Sequence, residues 1–167
     1  MYQERRQLSR ADILREKIIP HGPRFMFLEN AEIIESGKKA RGKLVDRNRP
    51  EFDYLKDHFL GNPVFPGALL METLAELSGI AATFGSPGNE NKVGVLRKDE
   101  MEYKQGIRPE DEVDLEVEII FFRMNTGRAR VKAYITNKDG IIAAEGIITF
   151  MMIDKASGKE LFHNDKA

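Results

Sequence analysis

Cysteine is absent from the 167 residues of this chain. Its absence excludes a disulfide framework and any metal or iron–sulfur site that is held by thiolates. An excess of charge is lacking too, because 26 lysines and arginines stand against 27 aspartates and glutamates and leave a net charge of −1. Such a balance gives no reason to expect nucleic acid or a membrane surface as a partner.

Long hydrophobic runs are also missing. No stretch approaches the roughly 18 apolar residues that a transmembrane helix requires. The first ten residues, MYQERRQLSR, are too charged for a secretory signal peptide. We therefore expect a cytoplasmic protein without a membrane span.

The length of the chain fits one domain that can bury a sizeable core. We predict a single domain over residues 1–153 and a flexible tail over residues 154–167. A short helix is expected near the start, over residues 10–18, with Ser9 as its cap.

Most of the remaining chain has the alternating pattern of β-strands. The predicted strands cover residues 25–34, 39–46, 93–96, 101–103, 113–124, 128–136 and 141–153. An Asp-Gly pair at the end of residues 137–140 indicates a tight hairpin between the last two strands. With one long apolar helix, these strands predict an α+β fold in which a curved, mostly antiparallel sheet wraps around the helix.

The long helix is predicted over residues 66–84, PGALLMETLAELSGIAATF, with Pro66 in its first turn. Apolar side chains occupy every side of this helix, which is typical of a buried one. Glu72 and Glu76 lie four residues apart and therefore on one face. A buried carboxylate must find a partner or take up a proton, which would make either glutamate an acid near neutral pH. The alternative is that this face simply reaches solvent or pairs with an arginine.

The start of this helix is a second candidate for chemistry. Its unpaired backbone N–H groups can bind an oxyanion or a thioester carbonyl, and Gly67 lets a ligand approach closely. His58 lies in the irregular loop that leads into the helix and is a candidate general base. His21, in a Pro/Gly loop, and His163, in the predicted tail, are interpreted as structural and solvated, although His21 could shape the entrance to a site. We predict no metal, because His58, Glu72 and Glu76 lack a standard metal-ligand spacing.

Residues 57–80, DHFLGNPVFPGALLMETLAELSGI, resemble the signature of the bacterial 3-hydroxyacyl-(acyl carrier protein) dehydratases, a hot-dog-fold family. That signature has a His-Phe pair, a Gly-x-Pro-Val-x-Pro-Gly turn and a glutamate five residues after the last glycine. Residues 20–28 and 103–111 resemble two weaker motifs of the same family. The resemblance implies a hot-dog fold and the dehydration of a 3-hydroxyacyl thioester to a trans-2-enoyl thioester, without a cofactor.

The resemblance also implies roles for individual residues. His58 matches the histidine that removes a proton from the carbon next to the thioester carbonyl, and Glu72 matches the acid that releases the 3-hydroxyl as water. Gly67 matches the glycine whose N–H polarises the thioester carbonyl, and Val64 matches the backbone carbonyl that orients the histidine. In this family the histidine and the glutamate of one site come from different subunits. A homodimer, or a larger assembly of dimers, is therefore expected.

The sequence departs from the family pattern at several positions. Asp57 and Leu60 replace a usual glycine and proline, and Glu110 stands where a glycine is common. Glu76 occupies the place of a glutamine that commonly supports the catalytic glutamate. Glu76 supports the catalytic acid, or perturbs it by raising its pKa if both glutamates are buried, or turns away from it.

Three other functions compete with carrier-linked dehydration. A hot-dog thioesterase would act on similar thioesters but generally places its carboxylate elsewhere. A dehydratase–isomerase typically has aspartate at the position of Glu72. A non-catalytic homologue would bind a carrier protein only.

The expected substrate carrier is an acyl carrier protein or coenzyme A. Because a carrier protein is acidic, a basic patch is expected near the mouth of the site. Arg128, Arg130 and Lys132 share one face of a strand, although an ordinary solvated face is the favoured interpretation. Arg97, Lys98 and Lys104 are alternative candidates for such a patch.

Overall fold

The computed structural model describes residues 6–155 of the chain. The strands are β1 (Arg6–Ser9), β2 (Leu28–Glu35), β3 (Lys39–Leu44), β4 (Lys92–Tyr103), β5 (Val113–Arg123), β6 (Thr126–Ile135) and β7 (Ile141–Asp154). All neighbours pair antiparallel in one sheet of order β1-β2-β3-β5-β6-β7-β4. The predicted antiparallel sheet is therefore confirmed.

The long helix, α2 (Gly67–Thr83), packs on one face of this sheet and contacts β2 to β7. It begins one residue later than predicted, because Pro66 has φ −59° and ψ 130° and so precedes the helix instead of entering it. Leu74, Leu77 and Ile80 are completely buried, as the apolar pattern around the helix predicted. Within residues 6–155, no helix is long and apolar enough to cross a membrane.

The N-terminal helix, α1 (Arg10–Arg15), is shorter than the predicted residues 10–18. Ser9 caps it as expected: its side chain accepts from the Asp12 N–H while the Asp12 carboxylate accepts from the Ser9 N–H, which makes a capping box. The chain leaves the helix through Lys17, whose φ of 48° is left-handed. The strand β1 before the helix was not predicted, because Leu8 is its only buried residue and gives no periodic signal.

Other parts of the chain also differ from the prediction, and β2, for example, begins at Leu28 instead of residue 25. Residues 93–96 and 101–103 belong to one strand, β4, whose pairing with β7 shifts register between Leu96 and Lys98. The irregular connection over residues 47–63 contains a 3-10 helix, Pro50–Asp57. The predicted tail begins too early, because Asp154 still belongs to β7, and residues 156–167 lie outside the described part of the chain.

Candidate active site

His58 directly follows the 3-10 helix, and its backbone N–H donates to the carbonyl of Leu55 at 3.2 Å. Its ring nitrogen Nδ1 lies 2.9 Å from the carbonyl oxygen of Val64, and the Val64 N–H donates back to the His58 carbonyl at 2.6 Å. A carbonyl oxygen only accepts hydrogen bonds, so a neutral His58 must carry its proton on Nδ1. That tautomer leaves a lone pair on Nε2, the atom that can accept a proton from a substrate.

The loop that begins at His58 leads directly into α2, which starts at Gly67. Just before the helix, the Phe65 N–H donates to the Ile107 carbonyl at 2.7 Å and so fixes the end of the loop. The Leu70 N–H donates to the Pro66 carbonyl at 3.0 Å and closes the first turn of the helix. Gly67 is the first residue of the helix, where backbone N–H groups have no partner within the helix. A Cβ atom at Gly67 would lie 3.0 Å from Cε1 of Tyr103, so any larger residue would push against that ring.

Glu72 lies one turn further along α2 and is half-buried. Its Oε1 lies 2.9 Å from Nε2 of His21, which comes from the loop between α1 and β2. The ring of His21 stacks on Phe25, with 6.0 Å between the ring centroids and 9° between the ring planes. The structure thus brings His21 into the candidate site, although the sequence favoured a structural role for it. The contact joins residues 51 positions apart, which no local pattern indicates.

Glu76 is only 2% exposed and faces the interior, not solvent. The backbone N–H of Phe27 donates to its carboxyl group at 3.1 Å to Oε2 and 3.4 Å to Oε1. The pKa of Glu76 is raised from 4.5 to about 9, mainly because burial disfavours the charged form and also because Glu72 lies nearby. Hydrogen bonding from Phe27 and the charge of Arg10 oppose this shift of the pKa. Glu76 is therefore a neutral carboxylic acid at pH 7.

Side-chain donor atoms of His21, Glu72 and Glu76, called the acid cluster below, all lie within 4.8 Å of one another. These are the described residues that are best placed to hold a metal ion, and His58 is not among them. His58 is bonded to Val64 and Glu72 to His21, and within residues 6–155 no hydrogen bond joins His58 to Glu72. One chain therefore presents the candidate base, His58, and the candidate acid, Glu72, in two separate arrangements.

The candidate basic patch on β6 is largely neutralised by its neighbours. Arg130 lies 3.0 Å from Glu118, and Lys132 lies 3.4 Å from Glu145. Such cross-strand pairs are typical of an ordinary solvated strand face. Within residues 6–155 the exposed Arg128 alone of the three has no ion pair, so the patch offers one unpaired positive charge to an acidic partner.

Comparison with known proteins gives one matching family and many relatives. The sequence pattern of the FabA-like domain matches residues 19–147. The chain is 38% identical over 141 residues to the 3-hydroxyacyl-(acyl-carrier-protein) dehydratase FabZ of Acetivibrio thermocellus, which covers 83% of this chain and 92% of the relative. It is 37% identical to the enzyme of the same name from Thermomicrobium roseum, over 86% of this chain and 93% of the relative.

Solved structures share the fold at low identity. The dehydratase heterocomplex ApeI:P from Xenorhabdus doucetiae superposes with a TM-score of 0.69 at 14% identity, over 89% of this chain and 96% of that chain. A hypothetical thioesterase from Streptococcus pneumoniae, solved with coenzyme A, gives a TM-score of 0.55 at 16% identity, over 77% of this chain and 89% of that chain. These likenesses concern the fold alone.

Proposed function

Since the chain belongs to the FabA-like family, we propose that it is a hydro-lyase that converts a carrier-protein-linked 3-hydroxyacyl thioester to the trans-2-enoyl thioester. The hot-dog fold and the FabZ relatives, which are at least 30% identical over most of the chain, support dehydration in fatty-acid biosynthesis. The single observation that carries the mechanism is the bond from His58 Nδ1 to the Val64 carbonyl, because it fixes the tautomer that a base requires.

The proposed reaction uses His58, which is bonded to Val64, as the base and Glu72, which is bonded to His21, as the acid. Nε2 of His58 removes the proton from the carbon next to the thioester carbonyl, and the negative charge that develops on the carbonyl oxygen is bound by the Gly67 N–H at the start of α2. The bond between carbon 3 and its hydroxyl oxygen then breaks. Glu72 donates a proton to the departing hydroxyl, so that water leaves and a double bond forms between carbons 2 and 3.

We propose further that each site is completed across a homodimer, with His58 from one subunit and Glu72 from the other. Two features support this arrangement besides the resemblance. Within residues 6–155, the twelve-residue strand β4 pairs only with β7 and leaves its other edge free. Next to His58, the large apolar side chains of Phe59 and Leu60 are 60% and 82% exposed. A free strand edge and exposed apolar side chains are features that a second subunit would cover.

The dehydration is tested by incubating the purified protein with a 3-hydroxyacyl carrier protein and following the enoyl product by mass spectrometry. His58→Ala and Glu72→Gln should each abolish turnover while the protein remains folded. Release of the free carrier thiol without enoyl product would identify a thioesterase instead. The cytoplasmic location, which we also propose, is tested by cell fractionation.

The shared site is tested by mixing the two inactive variants. In a heterodimer of His58→Ala with Glu72→Gln, one of the two shared sites contains both native residues. Random exchange of subunits should therefore restore about one quarter of the native activity. Sites formed within single chains would give no activity at any mixing ratio.

A further inference from the structure

Glu72 has a partner that the reaction above does not use. Nε2 of His21 lies 2.9 Å from its carboxyl oxygen Oε1, and the two side chains are only 21% and 25% exposed. The other ring nitrogen of His21, Nδ1, is buried and has no hydrogen-bond partner within residues 6–155. The ring therefore directs its one hydrogen bond to the proposed acid.

On the basis of the dehydration proposed above, we propose that His21 is a positioning residue that holds the carboxyl group of Glu72 in place, and that Arg10 holds the loop of His21. A glutamate side chain has several rotatable bonds and samples many orientations when it is free. A proton donor contributes to the rate only while it stays within hydrogen-bond reach of the leaving group. A hydrogen bond from a ring that itself packs on Phe25 restricts those orientations.

Arg10 connects the N-terminal helix to this loop. Its side chain is buried, with 8% of the residue exposed, which is unusual for an arginine. One terminal nitrogen donates to the Met26 carbonyl at 2.5 Å and the other to the Pro23 carbonyl at 2.6 Å. These carbonyls lie two and five residues after His21, so one planar guanidinium fixes the backbone that follows the histidine.

The same arginine also acts through its charge on Glu76, one member of the acid cluster. Its nearest carboxylate is Glu51, at 3.7 Å. The loop hydrogen bonds are shorter than this ion pair, so the backbone carbonyls are the main partners of the guanidinium. Arg10→Lys would keep the positive charge, but a single ammonium group cannot donate to both carbonyls in the fixed planar geometry of a guanidinium.

The test compares two replacements of His21 in the full-length dimer. His21→Phe keeps a flat ring against Phe25 but removes the hydrogen bond, whereas His21→Gln places an amide nitrogen near the position of Nε2. We expect kcat to fall about tenfold or more in His21→Phe, with KM changed by less than about threefold, and to recover in part in His21→Gln. The pH profile of kcat should shift in His21→Phe, where Glu76 remains as the ionisable neighbour of Glu72. His163→Phe is the matched control.

Arg10→Lys tests the second half of the proposal by a double-mutant cycle. It should lower kcat, and the double variant Arg10→Lys/His21→Phe should be no slower than His21→Phe alone, because both changes act through one contact. If the losses of kcat in the two single variants multiply in the double variant, Arg10 does not act through His21. If His21→Phe keeps native kcat, or if His21→Gln is equally slow, His21 does not position Glu72.

A measurement without turnover keeps the inference testable if a variant fails to fold. The ring nitrogen resonances of His21 in nitrogen-15 NMR should move between the native protein and Glu72→Gln, and unchanged resonances would contradict the contact. Failure of the proposed function is distinguishable, because the native protein itself would then form no enoyl product.

Discussion

Replacing Glu76 by glutamine should stabilise the folded protein at neutral pH. The carboxyl group has a pKa of about 9 in the fold and 4.5 as its ordinary value. Above pH 4.5 the unfolded chain loses this proton, so folding has to take it up again. This uptake lowers the free energy of unfolding by about 1.4 kcal/mol for each pH unit above 4.5, and thus by about 3 kcal/mol at pH 7. Glutamine is neutral in both states and avoids this cost, while its amide oxygen can still accept from the Phe27 N–H.

The sign of the effect makes the prediction specific. Because the pKa is raised in the fold, the contribution of Glu76 to stability is complete below pH 4.5 and is lost progressively as the pH rises towards 9. Urea unfolding at a fixed protein concentration should therefore show equal stability of the two proteins near pH 4.5. At pH 7 it should show an advantage of about 3 kcal/mol for Glu76→Gln, or about 6–12 °C in Tm.

Glu35→Gln is the matched control, because this side chain is 56% exposed and lies on the surface beside Lys38. It should change the free energy of unfolding by less than about 0.5 kcal/mol at any of these pH values. A difference between native protein and Glu76→Gln that stays constant from pH 5 to pH 8 would refute the argument. So would a glutamine variant that is less stable than the native protein at pH 7.

Three further predictions concern other parts of the molecule. Gly67→Ala should lower kcat/KM with little change in Tm, because the new methyl group meets the Tyr103 ring at 3.0 Å and intrudes on the start of α2; steady-state kinetics that match the native enzyme would contradict this. Treatment with EDTA should leave activity unchanged, since the acid cluster is proposed to act through protons; activity that is lost and then restored by a divalent cation would show that the cluster holds a metal. Ser9→Ala should cost about 1 kcal/mol in urea unfolding by removing the capping box of α1, and no measurable loss would mean that the helix end is satisfied in another way.

Much of the fold could be predicted because its signals are local. The α2 pattern of apolar residues on all sides gave its bounds to within one residue, and the hairpin at Asp139-Gly140 was correct. The centre of β4 was missed because Arg97, Lys98, Asp99 and Glu100 are exposed on the free edge strand and break the apolar alternation. An edge strand has less of its surface buried, so its sequence carries less of the pattern that identifies a strand.

The candidate site was only partly predictable, for a different reason. His58 and Val64 are six residues apart, and their contact belongs to one loop. The contact of His21 with Glu72 depends on how the loop before β2 folds over α2, which no spacing in the sequence records. The burial of Glu76 could not be predicted either, because the sequence of an apolar helix does not distinguish a buried glutamate from one that reaches solvent.

The loop from His58 to Val64 is closed by two hydrogen bonds that run in opposite directions between its ends. Both bonds use backbone atoms or the histidine ring, and neither uses a side chain of the five residues between. Phe59 stacks on the ring of His58, with 4.1 Å between the ring centroids, so it is the exposed Leu60 that can change its chemistry without disturbing that ring. Evolution, or a protein engineer, can therefore alter this exposed surface at Leu60 while both hydrogen bonds that close the loop stay in place.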